Sequence, residues 1–115
     1  NSVPEDDLVA LEWYRKAVAK KSPHAMNNLG ALYDNGHVGT VDVKLAGKWL
    51  SDAVGWGYEF TRKRLIDEPG TYEIGTRKAI QRRLKAEGYY DGIIDGDFGA
   101  GTVAALNAYF GTLKK

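Results

Sequence analysis

The chain of 115 residues contains no cysteine. A disulfide framework, a thiol nucleophile and a cysteine-ligated metal site are therefore excluded. The two histidines, His24 and His37, stand at a spacing that matches neither a metal site nor a catalytic triad. Carboxylates are plentiful, yet the sequence singles out no pair as a glycosidase dyad. We therefore expect a protein that is not an enzyme, with no catalytic residue, no metal and no cofactor.

The chain also lacks an excess of charge of either sign, since 16 basic residues face 15 acidic ones and the formal net charge is +1. This balance provides no global attraction to nucleic acid or to an anionic membrane. No apolar stretch approaches the roughly 18 residues that a membrane-spanning helix needs. The first residues are acidic and do not resemble a signal peptide. We expect no nucleic-acid partner and no membrane insertion.

What is present is a helical pattern, punctuated by only three prolines. Apolar residues at helical spacing predict a first helix from Asp6, with one face made of Ala10, Trp13, Tyr14, Ala17 and Val18. Ser22-Pro23 predicts the start of a second helix and Asn35-Gly36 its end. A third helix is predicted to end at residues 55–57, and a fourth covers residues 59–66.

The first and third helices match when the sequence is shifted by 36 residues, so that Ala10 and Trp13 recur as Ala46 and Trp49. A repeat period of this length is typical of stacked helix pairs. The residues 11–18 and 24–36 resemble the SEL-type tetratricopeptide-like repeat over roughly residues 3–66. The resemblance implies an α-solenoid whose surface binds a protein partner, with Trp13 and Trp49 in the repeat core. It also suggests the C-terminal piece of a longer array.

Gly47 departs from the repeat pattern, in which a helix former is usual at this position. Glycine inside a helix costs about 1 kcal/mol relative to alanine. The third helix is therefore either looser around Gly47 or packed unusually closely there.

Beyond a turn-rich linker at residues 67–71, the sequence predicts a helix over residues 74–87, with Ile80 and Leu84 inward and Gly88 as its cap. A loop rich in glycine, tyrosine and aspartate follows, and then a helix over residues 103–110. The segment 72–111 resembles the bacterial peptidoglycan-binding domain. The matching residues are Ile80, Gln81, Leu84, Gly88, Tyr89, Tyr90, Gly92, Asp95, Gly96, Gly99, Thr102, Ala105 and Phe110.

This second resemblance implies a non-catalytic module that holds cell-wall peptidoglycan in the periplasm or cell envelope. The candidate ligand-binding residues are Tyr89, Tyr90, Asp91, Asp95 and Phe98. Aromatic rings suit the CH groups of sugars, and we expect one of the two tyrosines to be buried and the other exposed. The aspartate-glycine pairs predict tight turns. Calcium is the alternative, but the EF-hand spacing and its glutamate are missing.

The helix 74–87 carries a basic face, which is made of Arg77, Lys78, Arg82, Arg83 and Lys85. Such a face can meet carboxylates or phosphates, or it can be a solvated surface. Arg77 and Arg82 are candidate partner-binding residues. Trp56 lies outside the repeated phase and is a third candidate.

Together these observations predict an all-α fold, with stacked helix-turn-helix repeats at residues 3–66 and a small helical module at residues 72–111. The predicted function is attachment to peptidoglycan combined with scaffolding of an unidentified protein partner. In the alternative function, a pure protein–protein adaptor, the C-terminal module only caps the solenoid with a polar outer face.

Overall fold

The computed structural model describes residues 5–37 and 39–114, and these residues form helices and loops without a strand. This confirms the predicted all-helical fold for the described part of the chain. The helices are α1 (Glu5–Ala19), α2 (Pro23–Asn35), α3 (Val43–Gly55), α4 (Glu59–Asp67), α5 (Ile74–Ala86) and α6 (Ala100–Tyr109). A single 3-10 turn, Pro69–Thr71, lies in the predicted linker.

The helix ends follow from local side-chain chemistry. The hydroxyl oxygen of Ser22 accepts a hydrogen bond from the backbone N–H of Ala25 at 3.2 Å, and Pro23 occupies the first turn of α2. At the other end Gly36 adopts a φ of 77°, which favours glycine. Gly88, after α5, has a φ of 88°. The predicted start and end of α2 and the glycine cap of α5 are therefore confirmed.

The helix α1 does not bury its predicted face. It contains no buried residue, and Trp13 is 67% exposed. The prediction that Trp13 is a core residue is therefore wrong. Its counterpart Trp49 is half-buried, with the Lys48 Nζ atom 3.6 Å from the ring centroid. The difference arises because α1 packs mainly on α2, whereas α3 packs against α2, α4, α5 and α6. Residues that match between α1 and α3 in sequence therefore differ in their burial. An α-solenoid is not established.

One hydrophobic core joins the helices on both sides of the linker. Its buried members are Leu50, Val54, Leu65, Tyr72, Ile80, Leu84, Ala105, Leu106 and Tyr109. The inward positions of Ile80 and Leu84 are confirmed, since neither side chain is exposed. The segment boundaries at residues 3–66 and 72–111 remain a prediction, and side chains from both segments contribute to the same core.

The helices α3 and α5 approach each other closely at Gly47. A Cβ atom added to Gly47 would lie 2.4 Å from the Cβ of Ala79, which is too close for any real side chain. One helical turn away, a Cβ on Gly75 would lie 3.0 Å from the methyl carbons of Val43. Of the two interpretations of Gly47, the structure supports close packing. The glycine therefore permits the contact between the two halves of the chain.

We predict that Gly47→Ala lowers the free energy of unfolding by about 1–2 kcal/mol. Overpacking costs up to about 3 kcal/mol, and the better helix propensity of alanine returns about 1 kcal/mol. Urea denaturation measures the change. The matched control is Gly101→Ala in α6, whose added Cβ would meet only the Tyr90 ring, at 3.6 Å. This control keeps or raises stability. Equal stabilisation by both substitutions would contradict the close contact.

Candidate functional site

The loop between α5 and α6, residues 87–99, is held in place by the buried side chain of Gln81. The Gln81 Oε1 atom accepts hydrogen bonds from the backbone N–H groups of Asp95 at 3.1 Å and Gly96 at 2.8 Å. The Nε2 atom donates to the carbonyl oxygen of Asp97 at 2.9 Å and to the hydroxyl of Thr102 at 3.1 Å. One amide group thus satisfies several backbone groups of the loop, because it offers donors and an acceptor together.

The Asp95-Gly96 pair forms the tight turn that the sequence predicts. The Asp95 Oδ1 atom accepts a hydrogen bond from the N–H of Asp97 at 2.9 Å, and Gly96 has a φ of 82°. Gly92 does not share this conformation, because its φ is not in the left-handed region. Instead, a Cβ on Gly92 would lie 2.5 Å from the hydroxyl oxygen of Tyr90. The turn prediction is therefore confirmed for residues 95–96 and wrong for residues 91–92.

The environment of Asp95 favours the charged form of its carboxyl group. The hydrogen bond from the backbone N–H of Asp97 lowers the pKa of Asp95, with smaller contributions from the Gln81 amide and the charge of Lys78. Throughout residues 5–37 and 39–114, no three histidine, aspartate or glutamate side chains are grouped so that they could hold a metal ion.

The aromatic candidates occupy different depths. Tyr89 is 38% exposed, and its ring lies against that of Tyr109 with centroids 5.3 Å apart. Tyr90 is half-buried, packs on the core and donates its hydroxyl hydrogen to the carbonyl of Ile93 at 2.7 Å. Phe98 is half-buried against the same core. Tyr89 is thus the exposed ring that the sequence predicts, whereas Tyr90, the other ring, packs on the core but is only half-buried rather than buried.

The loop surrounds an open cavity with a volume of about 410 Å³. The residues around it include Tyr90, Asp91, Asp95, Asp97 and Ile93, the last of which is 75% exposed. Such a surface offers acceptors for N–H and O–H groups beside apolar atoms that cover CH groups. Three predicted ligand residues, Tyr90, Asp91 and Asp95, therefore meet at one site, which we name the loop cavity. Tyr89 and Phe98 lie outside its wall.

A larger cavity, of about 480 Å³, lies elsewhere, along α4. Its wall includes the exposed Phe60 together with Lys63, Arg64, Asp67 and Glu68. It shares no residue with the loop cavity and contains none of the predicted ligand residues.

Of the three predicted partner-binding residues, Arg77 and Arg82 lie on α5, and Trp56 follows the last residue of α3. Arg77 donates hydrogen bonds to the carbonyl oxygens of Gly96 at 2.8 Å and Tyr72 at 3.2 Å, so its role is to hold the loop onto α5. Trp56 is half-buried at the end of α3, with the Lys21 Nζ atom 6.0 Å from its ring centroid. Arg82 is exposed on α5. Contact of these three residues with a protein partner stays a prediction.

Gln81 is the residue that sequence reasoning did not recognise as important. The sequence analysis names it only as one of the positions that match the peptidoglycan-binding domain. The pattern that could have identified it is a polar residue directly after the inward Ile80 and three positions before the inward Leu84. A glutamine at the edge of an apolar helix stripe needs buried hydrogen-bond partners, and the following loop supplies them.

Comparison with known proteins gives one family match. The model of the putative peptidoglycan-binding domain matches residues 75–109, which include α5 from its second residue, the loop and α6. Neither the curated proteins nor the solved structures contain a significant match. The peptidoglycan-binding part of the resemblance is thus supported, whereas the SEL-type repeats at residues 3–66 have no support from these comparisons.

We predict that Gln81→Leu lowers the free energy of unfolding by about 2–4 kcal/mol, because it leaves the N–H groups of Asp95 and Gly96 without their acceptor. Chemical denaturation measures the loss, and amide hydrogen exchange detects faster opening of the loop. The control Arg82→Gln, at the exposed next position, changes stability by less than about 0.5 kcal/mol. A similar small effect of Gln81→Leu would contradict the role assigned to this side chain.

The lowered pKa of Asp95 gives a second prediction. A carboxyl whose pKa is lower in the folded state stabilises the fold above its unfolded pKa, about 4, and loses this contribution as the pH falls through the folded value. The amide oxygen that Asp95→Asn introduces can still accept the hydrogen bond from Asp97, so the substitution removes mainly the charge. We expect the difference in unfolding free energy between the wild type and Asp95→Asn to be constant from pH 7 to 5 and to shrink below pH 4. A difference independent of pH would contradict the assignment.

Proposed function

We propose that the chain attaches to bacterial cell-wall peptidoglycan through the loop cavity. The observation that carries the proposal is the family match at residues 75–109, because the loop cavity lies inside this segment. The matched family consists of non-catalytic binding domains. Its presence suggests association with the cell wall or envelope, in agreement with the periplasmic or envelope location expected from the sequence.

The chemistry of the loop cavity suits such a ligand. Glycan hydroxyl groups and peptide N–H groups are donors, and the carboxylates of Asp91, Asp95 and Asp97 are acceptors without a donor function at neutral pH. The Tyr90 ring and Ile93 supply apolar surface for CH groups of a sugar or a side chain. The hydrogen bonds between the Gln81 amide and the loop backbone hold these groups in a fixed arrangement before the ligand binds. This arrangement limits the entropy lost on binding.

No helix in the described ranges 5–37 and 39–114 combines the length and apolar character required to cross a bilayer.

A second candidate function is a protein–protein adaptor, in which α1–α4 form SEL-type hairpins at residues 3–66 and the segment 72–111 caps them. The observation in its favour is the close contact of α5 with α3 at Gly47, since a cap must cover the end of a helical array. The half-buried Trp56 remains a candidate contact for a protein partner. Wall attachment and scaffolding are compatible, because they use different surfaces.

Co-sedimentation with purified insoluble sacculi tests the proposed attachment. We expect the wild type to pellet with the sacculi and the double variant Asp91→Asn, Ile93→Ser to remain mainly in the supernatant, with a loss of bound fraction of roughly tenfold. Both residues are exposed at the wall of the loop cavity, so their replacement leaves the core intact.

The matched control is Phe60→Ser, which removes an exposed apolar side chain from the separate cavity on α4. It should pellet like the wild type. Failure of the wild type to pellet over a range of salt concentrations would refute wall attachment. Equal loss in the loop-cavity variant and in Phe60→Ser would instead indicate nonspecific adsorption.

A further inference from the structure

A basic groove lies between α3 and α5, on the side of α5 that faces away from the loop cavity. Its wall consists of Lys44, Lys48, Ala79, Arg82 and Arg83, and its volume is about 340 Å³. Ala79 contacts α3, whereas Gln81 holds the loop. Two residues along a helix are separated by roughly 200° around its axis, so the two cavities occupy different faces of the same helix.

Two of the four cations are already partly neutralised. Asp52 lies 2.6 Å from Arg83 and 3.2 Å from Lys48, measured between the charged atoms. Glu87 is 3.4 Å from Arg83. The hydrogen bond and charge of Asp52 raise the pKa of Arg83 against the opposing effect of burial, which is the larger single contribution. Arg83 is therefore a fixed part of the groove wall.

Lys44 and Arg82 differ from Lys48 and Arg83 in their ion pairing. Among the residues that the structure describes, no carboxylate lies within ion-pairing distance of either side chain. Both are exposed, one on each helix, and they flank the close contact of Gly47 with Ala79. The chain as a whole has a formal net charge of only +1. The excess of positive charge at Lys44 and Arg82 is therefore local to the groove.

We propose that this groove docks an acidic peptide segment of a partner protein, whose carboxylates pair with Lys44 and Arg82 while its aliphatic atoms cover Ala79. Charge complementarity selects the carboxylates, and the fork of the Arg82 guanidinium suits them in bidentate geometry. The floor at Ala79 and the methylene stems of the lysines favour a peptide, because a phosphodiester chain has little apolar surface to place there. The groove accommodates only a few side chains, so the contact is a short segment.

Fluorescence anisotropy with a labelled hexapeptide of alternating glutamate and leucine residues tests the proposal on the whole chain. We expect saturable binding, and binding roughly five- to tenfold weaker for the double variant Lys44→Gln, Arg82→Gln, since exposed ion pairs each contribute modestly. The control Lys20→Gln, Lys63→Gln removes the same charge at two exposed positions outside the groove and should bind like the wild type. Binding should also weaken when the salt concentration rises.

Each other outcome is decisive against the proposal. Equal weakening in both double variants would show that net charge alone attracts the peptide. Displacement of the peptide by a single-stranded oligonucleotide at equal charge concentration would assign the groove to phosphate-bearing polymers. Absence of peptide binding to the wild type would remove the docking site. Sacculus sedimentation of Lys44→Gln, Arg82→Gln should match the wild type, so a failure of wall attachment and a failure of this groove are distinguishable.

Discussion

The contact between α3 and α5 at Gly47 and Ala79 is the constraint on which the remainder of the structure depends. It brings the two parts of the chain close enough for Leu50 and Val54 to share a core with Ile80 and Leu84. Without a side chain at Gly47 the helix loses some intrinsic stability, and the close packing that results offsets this loss. The same contact forms the floor of the basic groove.

A second constraint is polar and acts inside the core. Gln81 has no exposed surface, yet its amide group is fully engaged with the backbone of the loop and with Thr102. A buried amide with satisfied donors and acceptors orders its neighbours, because every displacement leaves a polar group unpaired. The loop therefore keeps a defined conformation although it has no regular secondary structure. This conformation determines the shape of the loop cavity.

The helix α5 separates two surfaces of opposite charge. Toward α6 it supports the carboxylates of Asp91, Asp95 and Asp97, and toward α3 it contributes Arg82 and Arg83 to a basic groove. The net charge of +1 conceals this division. In the two proposals made above, these surfaces bind the cell wall and an acidic peptide segment, and their positions on opposite sides of one short helix keep the two contacts separate.

The sequence by itself determined the features that depend on neighbouring residues. Ser22 caps α2, Gly36 and Gly88 end helices, and Asp95-Gly96 makes a turn, because each of these effects acts over one to four residues. Only the tertiary structure decided which matching positions are buried, since burial depends on helices that are distant in sequence. Trp13 and Trp49 repeat in the sequence but differ in exposure for this reason. Likewise, Tyr90, Asp91 and Asp95 line one cavity because the hydrogen bonds of Gln81 fix the loop against α5, and the sequence does not show these contacts.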